Sequence, residues 1–370
     1  SGPLHALVDI VPDNIFGVEF SGEVKLGKFE NEIIIDGDIN STCGIYNSFI
    51  HNCTIANNVF IKDVKLLSNY SIEGNAVIQN VDNLAVVGES AFGNGTELDI
   101  VNEGGGRTLK IFDMLSSNLA YLIVFYRHNK KLIRRLEEII EKYISTKKSK
   151  VGLIKRNSRI ENCRSIINVE VGEHAKIDSV SRLENGTIKS CIEDPVLIGT
   201  NVIAENFIVL SGAKIDGGAL LENCFIGQGV KIGKQYSAEN SAFFANSEAF
   251  HGEACSIFGG PYTVTHHKSS LLIAGYFSFY NAGSGTNQSN HMYKLGPIHQ
   301  GVLERGSKTG SFSYMLWPSR TGPFTTIIGK HYTNFDTSNL PFSYISEEDG
   351  KSYITPAMNL FTVGTRRDSL

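Results

Sequence analysis

Between Ala254 and Phe335 the chain carries one acid, Glu304, against six bases, Lys268, Lys294, Arg305, Lys308, Arg320 and Lys330. Five of its ten histidines, His266, His267, His291, His299 and His331, fall in the same stretch. An imidazole that titrates near neutrality takes a proton from an acceptor hydroxyl, and an uncompensated ammonium or guanidinium holds phosphate. His266, His267, His291 and His299 are therefore the candidate general bases. Lys268, Asn287, Gln288, Asn290, Tyr293, Lys294, Arg305, Lys308 and Arg320 are the candidate substrate or anion contacts, dense enough in donors to surround a polyhydroxylated or phosphorylated ligand. His266 and His267 are adjacent, so on a strand they point to opposite faces and at most one serves a given site. The competing reading of any one of these histidines is a hydrogen-bonded structural imidazole.

Metal chemistry has weaker support, and no metal site is assigned. His251, Glu253 and Cys255 alternate and would share a strand face, but the Pro-Cys-x-x-Cys partner of the zinc deaminases is missing. Gly104-Gly105-Gly106-Arg107 superficially suggests a phosphate loop; lying where a β block gives way to helical spacing, it reads as a turn.

The elements that must position these residues follow from a period that neither helix nor alternating strand explains. Aliphatic residues recur every five or six positions: Ile33, Ile39, Ile45, Ile50, Ile55, Ile61, then Ile72, Ile78 and Leu84. The series resumes at Ile166, Val171, Ile177, Leu183 and Ile188, and again at Ile198, Ile203, Val209, Ile215, Leu221, Ile226 and Ile232. This is the hexapeptide repeat of a parallel β-helix, in which three short strands and three corners close a coil of about 18 residues. Cys53 and Cys224, two positions before inward aliphatics, read as core filler. Asn57, Asn58, Gly74, Asn75, Gly227 and Gly229 suit corners, where these two residue types tolerate left-handed backbone angles.

The period lapses from about Leu109 to Lys150, where Met114, Leu115, Leu119, Leu122 and Tyr126, then Leu132, Leu136, Ile140 and Tyr143, recur at helical spacing. An inserted helical hairpin is predicted, its charged second helix facing solvent, its aromatic first helix a candidate oligomer contact. The organisation expected is a cap over 1–32, a first β-helix block over 33–108, the helical insertion over 109–150 and a second block over 151–250. A continued solenoid over 251–370 then carries the polar, His/Lys/Arg-rich region.

Composition sets the outer bounds. The 370 residues, 41% of them hydrophobic and 19% charged, can bury a sizeable core. The longest apolar run, Leu119 to Tyr126, is far short of the roughly 20 residues that cross a bilayer. A net charge of −4 offers no global attraction to nucleic acid or anionic membrane. A cytoplasmic protein with neither of those partners is expected, with reduced thiols, since its six cysteines form no Cys-x-x-Cys pair.

The stretch from His251 onward, together with Pro341-Phe342-Ser343-Tyr344 and Gly364-Thr365-Arg366-Arg367-Asp368, resembles an uncharacterised bacterial family of hexapeptide-repeat proteins loosely labelled transferases. The similarity runs across essentially the whole chain. It implies a mainly β protein, a left-handed parallel β-helix with an inserted α-helical hairpin and a loop-rich C-terminal part, and it supplies no catalytic residues to carry over. Members continue past the Arg-Arg-Asp stretch, whereas this chain stops at Leu370 and opens with Ser-Gly-Pro, so a piece of a longer protein is expected. By analogy with hexapeptide acyltransferases, acyl-coenzyme A would be the donor and the assembly a homotrimer with sites between subunits. The functional expectation is a transferase-like protein that binds a sugar, sugar-phosphate or nucleotide-sugar, with acyl transfer through a histidine base. The alternative is a non-catalytic ligand-binding or scaffold module, or an accessory part of a sugar nucleotidyltransferase system.

Overall fold

The computed structural model describes residues 4–6, 14–289 and 300–361. They form a mainly β protein, a parallel β-solenoid with two α-helices among the described residues, α1 (Ser117–Phe125) and α2 (Lys130–Ser145). The chain divides into two compact units. The first comprises Ser1–Thr96, Ile111–Met114 and Arg134–Ala219, and the second Glu97–Lys110, Leu115–Ile133 and Leu220–Leu370.

In the first unit the strand register gives the coil length directly. Phe60 pairs with Val77, Arg159 with Lys176 and Leu197 with Lys214, each seventeen residues on and all in parallel. Two hexads and one pentad therefore make a coil, one residue under the ideal 18. The predicted aliphatics Ile45, Ile50, Ile55, Ile61, Ile72, Ile78 and Leu84, then Ile166, Val171 and Ile177, point inward, and Leu67 and Ile160, which the series passed over, fill the same kind of position; all are at most 1% exposed.

Three departures have local causes. Ile33 and Ile39 do not enter the prism; they belong to an antiparallel hairpin, Glu32–Asp36 with Ile39–Thr42, turned by Gly37 at φ 51°, and Ile39 stays 60% exposed. Coil pairing instead already runs through the stretch expected to be a cap, where Leu4 pairs with Val24 and Ile15 with Ile45, both in parallel. At Ile203 the register places the neighbouring Ala204 inward beside Leu183, leaving Ile203 half-buried.

The coil is left after the strand Val77–Ala85, whose Val77 pairs with Arg159, 82 residues later. Helix α1 is capped by Ser116, which accepts from the Leu119 amide, and α2 by Asn129, which accepts from Leu132. In the second unit, Tyr121 and Phe125 of α1 pack on Tyr276 (centroids 5.7 and 5.2 Å) and Phe125 on Phe258 (6.2 Å), while Tyr121, Leu122 and Tyr126 keep more than a third of their surface exposed. Gly105 and Gly106 form the turn between the antiparallel strands Glu97–Asp99 and Thr108–Lys110, as a turn reading requires.

Corners in the first unit are mostly asparagines in the left-handed region, including Asn58, Asn75, Asn162, Asn168, Asn185 and Asn206. Their side chains bond from coil to coil: Asn168 Nδ2 donates to Asn185 Oδ1 at 3.1 Å, and Asn185 Nδ2 to Asn206 Oδ1 at 3.2 Å. The residue after such an asparagine points inward, which explains Asn52-Cys53, Asn162-Cys163 and Asn223-Cys224. Burial pushes these thiols up to about 11, 11 and 12, leaving them protonated and inert at neutral pH.

Most coils of the second unit have offsets of 16 to 18 residues, as where Ser237 pairs with Glu253, Glu253 with Leu271 and Lys308 with Thr326, and one is longer, Gly275 pairing with Gly301 and Asn287 with Tyr314. Their interior changes chemistry. Thr265, Gln288, Thr309, Met315, Thr321 and His331 occupy inward positions that aliphatics hold earlier.

Candidate functional site

Three corners of the second unit stack to make a basic column. Lys231 pairs with Glu248, so the corner residues three positions further on, Lys234 and His251, follow one another along the solenoid, and Glu248 pairs with Val264, which leads into the next corner segment and its His266, His267 and Lys268. The His266 ring lies 4.2 Å from that of His267, and Lys268 follows at the exposed edge. Both Lys234 and His251 adopt left-handed angles, φ 55° and 59°. The Lys234 ammonium lies 5.1 Å from the Phe250 ring centroid, a cation–π contact.

The electrostatics favour neutral imidazoles. His266 lies below the usual histidine range, first through burial, then through His267 and Lys234, with Glu248 opposing. His251 is lowered by desolvation and by the Lys234 and Lys268 ammoniums. Glu248, the acid that acts on His266, is engaged by Lys231 Nζ at 2.9 Å. An unprotonated imidazole beside an ammonium can accept a proton from a hydroxyl while the ammonium holds an anion.

The remaining described candidates do not gather there. Gln288 is 2% exposed and faces the interior; its Oε1 accepts from the Ile273 amide at 3.1 Å, and its Nε2 has no hydrogen-bond partner among the described residues. Its place in the inward column, between Leu272 and Met315, withdraws it from any surface site. Asn287, one residue earlier, is exposed beside Tyr314. Arg305 lies over the Phe279 ring at 4.0 Å. Arg320 pairs in register with Asp336, one residue past the acid-poor stretch, and acts on both Asp336 and Glu304, so its charge is partly compensated. Lys308 is half-buried beside Asn281 and Thr326. His291, His299, Asn290, Tyr293 and Lys294 lie outside the described residues.

Two other signals resolve structurally. Cys255 Sγ sits 3.3 Å from Glu103 Oε1, and burial and that carboxylate push the thiol up to about 12. Among the described residues, no group of three His, Cys, Asp or Glu side chains is placed to hold a metal ion. His331 is fully buried, its Nδ1 2.8 Å from Ser352 Oγ, and burial lowers it.

A second polar assembly, in the first unit, was not anticipated from sequence. Asp113 accepts from the Tyr143 hydroxyl at 2.5 Å and from Lys147 Nζ at 2.8 Å, while Lys189 Nζ donates to the Asp113 carbonyl at 3.1 Å. Burial alone would raise Asp113; the bonds from Lys147 and Tyr143 and the nearby ammoniums outweigh it and hold the carboxyl below 3.8. These residues line a cleft of about 490 Å³. Its members are separated by as many as 76 positions and share no motif, so only the fold assembles them.

Comparison with known proteins adds a family without a function. A curated relative, an "Uncharacterized protein" of Treponema pallidum (strain Nichols), is 26% identical over 355 residues, which cover 91% of this chain. The match spans 49% of the relative, so the chain corresponds to about half of that protein's length. A family model matches residues 5–370, and the chain belongs to the family it describes, "Domain of unknown function (DUF4954)".

Proposed function

We propose that the chain is a transferase-like β-solenoid that binds a sugar, sugar-phosphate or nucleotide-sugar at the column Lys234, His251 and His267, flanked by His266 and Lys268. The observation that carries this reading is the convergence of Lys234, His251, His266 and Lys268 at neighbouring coil corners, where burial and the adjacent cations lower His251 and His266. Lys234 and Lys268 hold the anionic group. In the catalytic form, His266 or His267 takes the proton from an acceptor hydroxyl or amine, which attacks the thioester carbonyl of acyl-coenzyme A, and the thiol departs. Because His266 is lowered, first by burial, its base form persists to lower pH than that of an ordinary imidazole, and the rate should fall only on acidification beyond the point where an unperturbed histidine would already be protonated. Incubation with acetyl-coenzyme A and a panel of amino sugars and nucleotide-sugars, with His266→Ala and His267→Ala alongside, tests it. A loss of about a hundredfold or more in at least one variant is expected; no acyl product, or full product from both variants, overturns the catalytic form.

A non-catalytic binding module is the second reading. It is favoured by the outlying positions of Gln288, Arg305 and Arg320, which leave few groups to surround a reacting centre. Ligand-induced thermal stabilisation without turnover, lost in Lys234→Ala, distinguishes it.

A further inference from the structure

The cleft of the first unit contains more cationic chemistry than its own structure uses. Asp113, Tyr143 and Lys147 are mutually satisfied and fasten the residues following α2 to the strand region. Lys148 and Lys155 also line the cleft, both are exposed, and neither has an ion-pair partner among the described residues. Lys189 spends its ammonium on the Asp113 backbone carbonyl and on Met114 Sδ at 3.1 Å, not on a carboxylate. Four lysines thus face two acids in a chain whose total charge is −4. The second acid, Glu170, is half-buried on the strand Arg159–Val171, and its carboxyl group makes no hydrogen bond among the described residues. Burial raises its carboxyl, with Lys147 and Lys155 opposing and Asp113 adding, and its oxygens, which line the cleft, can accept from a ligand hydroxyl.

We infer that this cleft is a binding site for a small phosphorylated polyol, with the phosphate on Lys155, Lys148 and Lys189 and a ligand hydroxyl on Glu170. The volume of about 490 Å³ lies in the range of small-molecule sites. Val151 and Leu153 supply an apolar wall on which a carbon skeleton can rest. The inference is independent of the histidine column, which lies in the other unit and shares no residue with the cleft.

The test is calorimetric titration of the full chain with glucose 6-phosphate, glucose and inorganic phosphate as separate probes. Glucose 6-phosphate should bind saturably and more tightly than either glucose or inorganic phosphate. Lys155→Glu and Lys148→Glu, exposed substitutions that leave the melting curve unchanged, should each weaken it about tenfold or more. The double variant Lys234→Ala with His267→Ala should leave this binding in place, whatever becomes of the acyl-transfer reading. The inference is overturned by undiminished binding to both glutamate variants, by inorganic phosphate matching the full affinity, or by loss of binding in the histidine-column variant alone.

Discussion

The interior of the first unit and that of the later coils in the second differ in chemistry while keeping one backbone plan. In the first, Ile160, Ile166, Val171 and Ile177 fill successive sides at no more than 1% exposure. In the second, the inward columns pass through Thr265, Gln288, Thr309, Thr321 and His331. Other buried hydroxyls of these coils bond locally: Thr263 Oγ1 donates to the Gly260 carbonyl at 2.8 Å, Thr325 to Gly322 at 2.7 Å and Ser343 to Leu340 at 2.8 Å. A side chain that satisfies a corner carbonyl three residues back brings its own compensation for burial. Corners change in step. Asparagine ladders in the first unit give way to Pro-aromatic corners, Pro261-Tyr262, Pro323-Phe324 and Pro341-Phe342, whose aromatic residues take left-handed angles of 56° to 59°. Phe324 and Phe342 stack at 5.0 Å and Tyr262 and Phe279 at 4.7 Å, so ring contact replaces the amide bond between coils. The lesson is that parallel coils demand a filled interior and a tolerated left-handed corner, and either demand can be met by more than one chemistry.

Exchanging the two interior chemistries tests that lesson most severely. Ile160→Thr leaves a partial cavity and strands a hydroxyl where no corner carbonyl waits, so the first unit should lose about 3 kcal/mol in urea unfolding. Thr309→Val removes the centre of a network in which Thr309 Oγ1 meets Tyr280 Oη at 2.9 Å, Thr286 Oγ1 at 2.7 Å and the Gly283 amide at 3.2 Å. It keeps the volume, so about 2 kcal/mol is expected. Equal tolerance of both changes would mean that the two interiors are interchangeable. The smallest effect concerns the corners: Asn185→Ala should cost about 1–2 kcal/mol, because alanine resists φ 50° and the ladder bonds are lost. Asn185→Gly keeps the backbone angle and should recover part of that loss. If glycine is no better than alanine, the ladder rather than the left-handed angle governs the corner.

Much of this was readable from sequence where chemistry and period coincide. The aliphatic period found the coils because each inward residue has one coil-neighbour above and below and no other duty. It misplaced Ile33 and Ile39, since a hairpin with a glycine turn has the same local spacing as two hexads. It chose Ile203 over Ala204 because size alone does not reveal which of two adjacent apolar residues the register turns inward. Charge counting located the histidine region, yet stopped one residue before Asp336, the partner of Arg320. It also missed Lys234 and His251 as neighbours of His267, although their spacings of 17 and 16 residues match the coil length and carried that signal. The lysine cleft had no such signal, because the long departure from the coil after Ala85 brings Asp113 to Lys147 and Lys189 without any repeat.

The proposed ligand column is tested most directly by diffraction from crystals grown with a phosphorylated sugar. The account predicts phosphate density within hydrogen-bond distance of Lys234 or Lys268, with the sugar facing His266 or His267. Density for the ligand elsewhere on the second unit, with this column bare at saturating concentration, would contradict it.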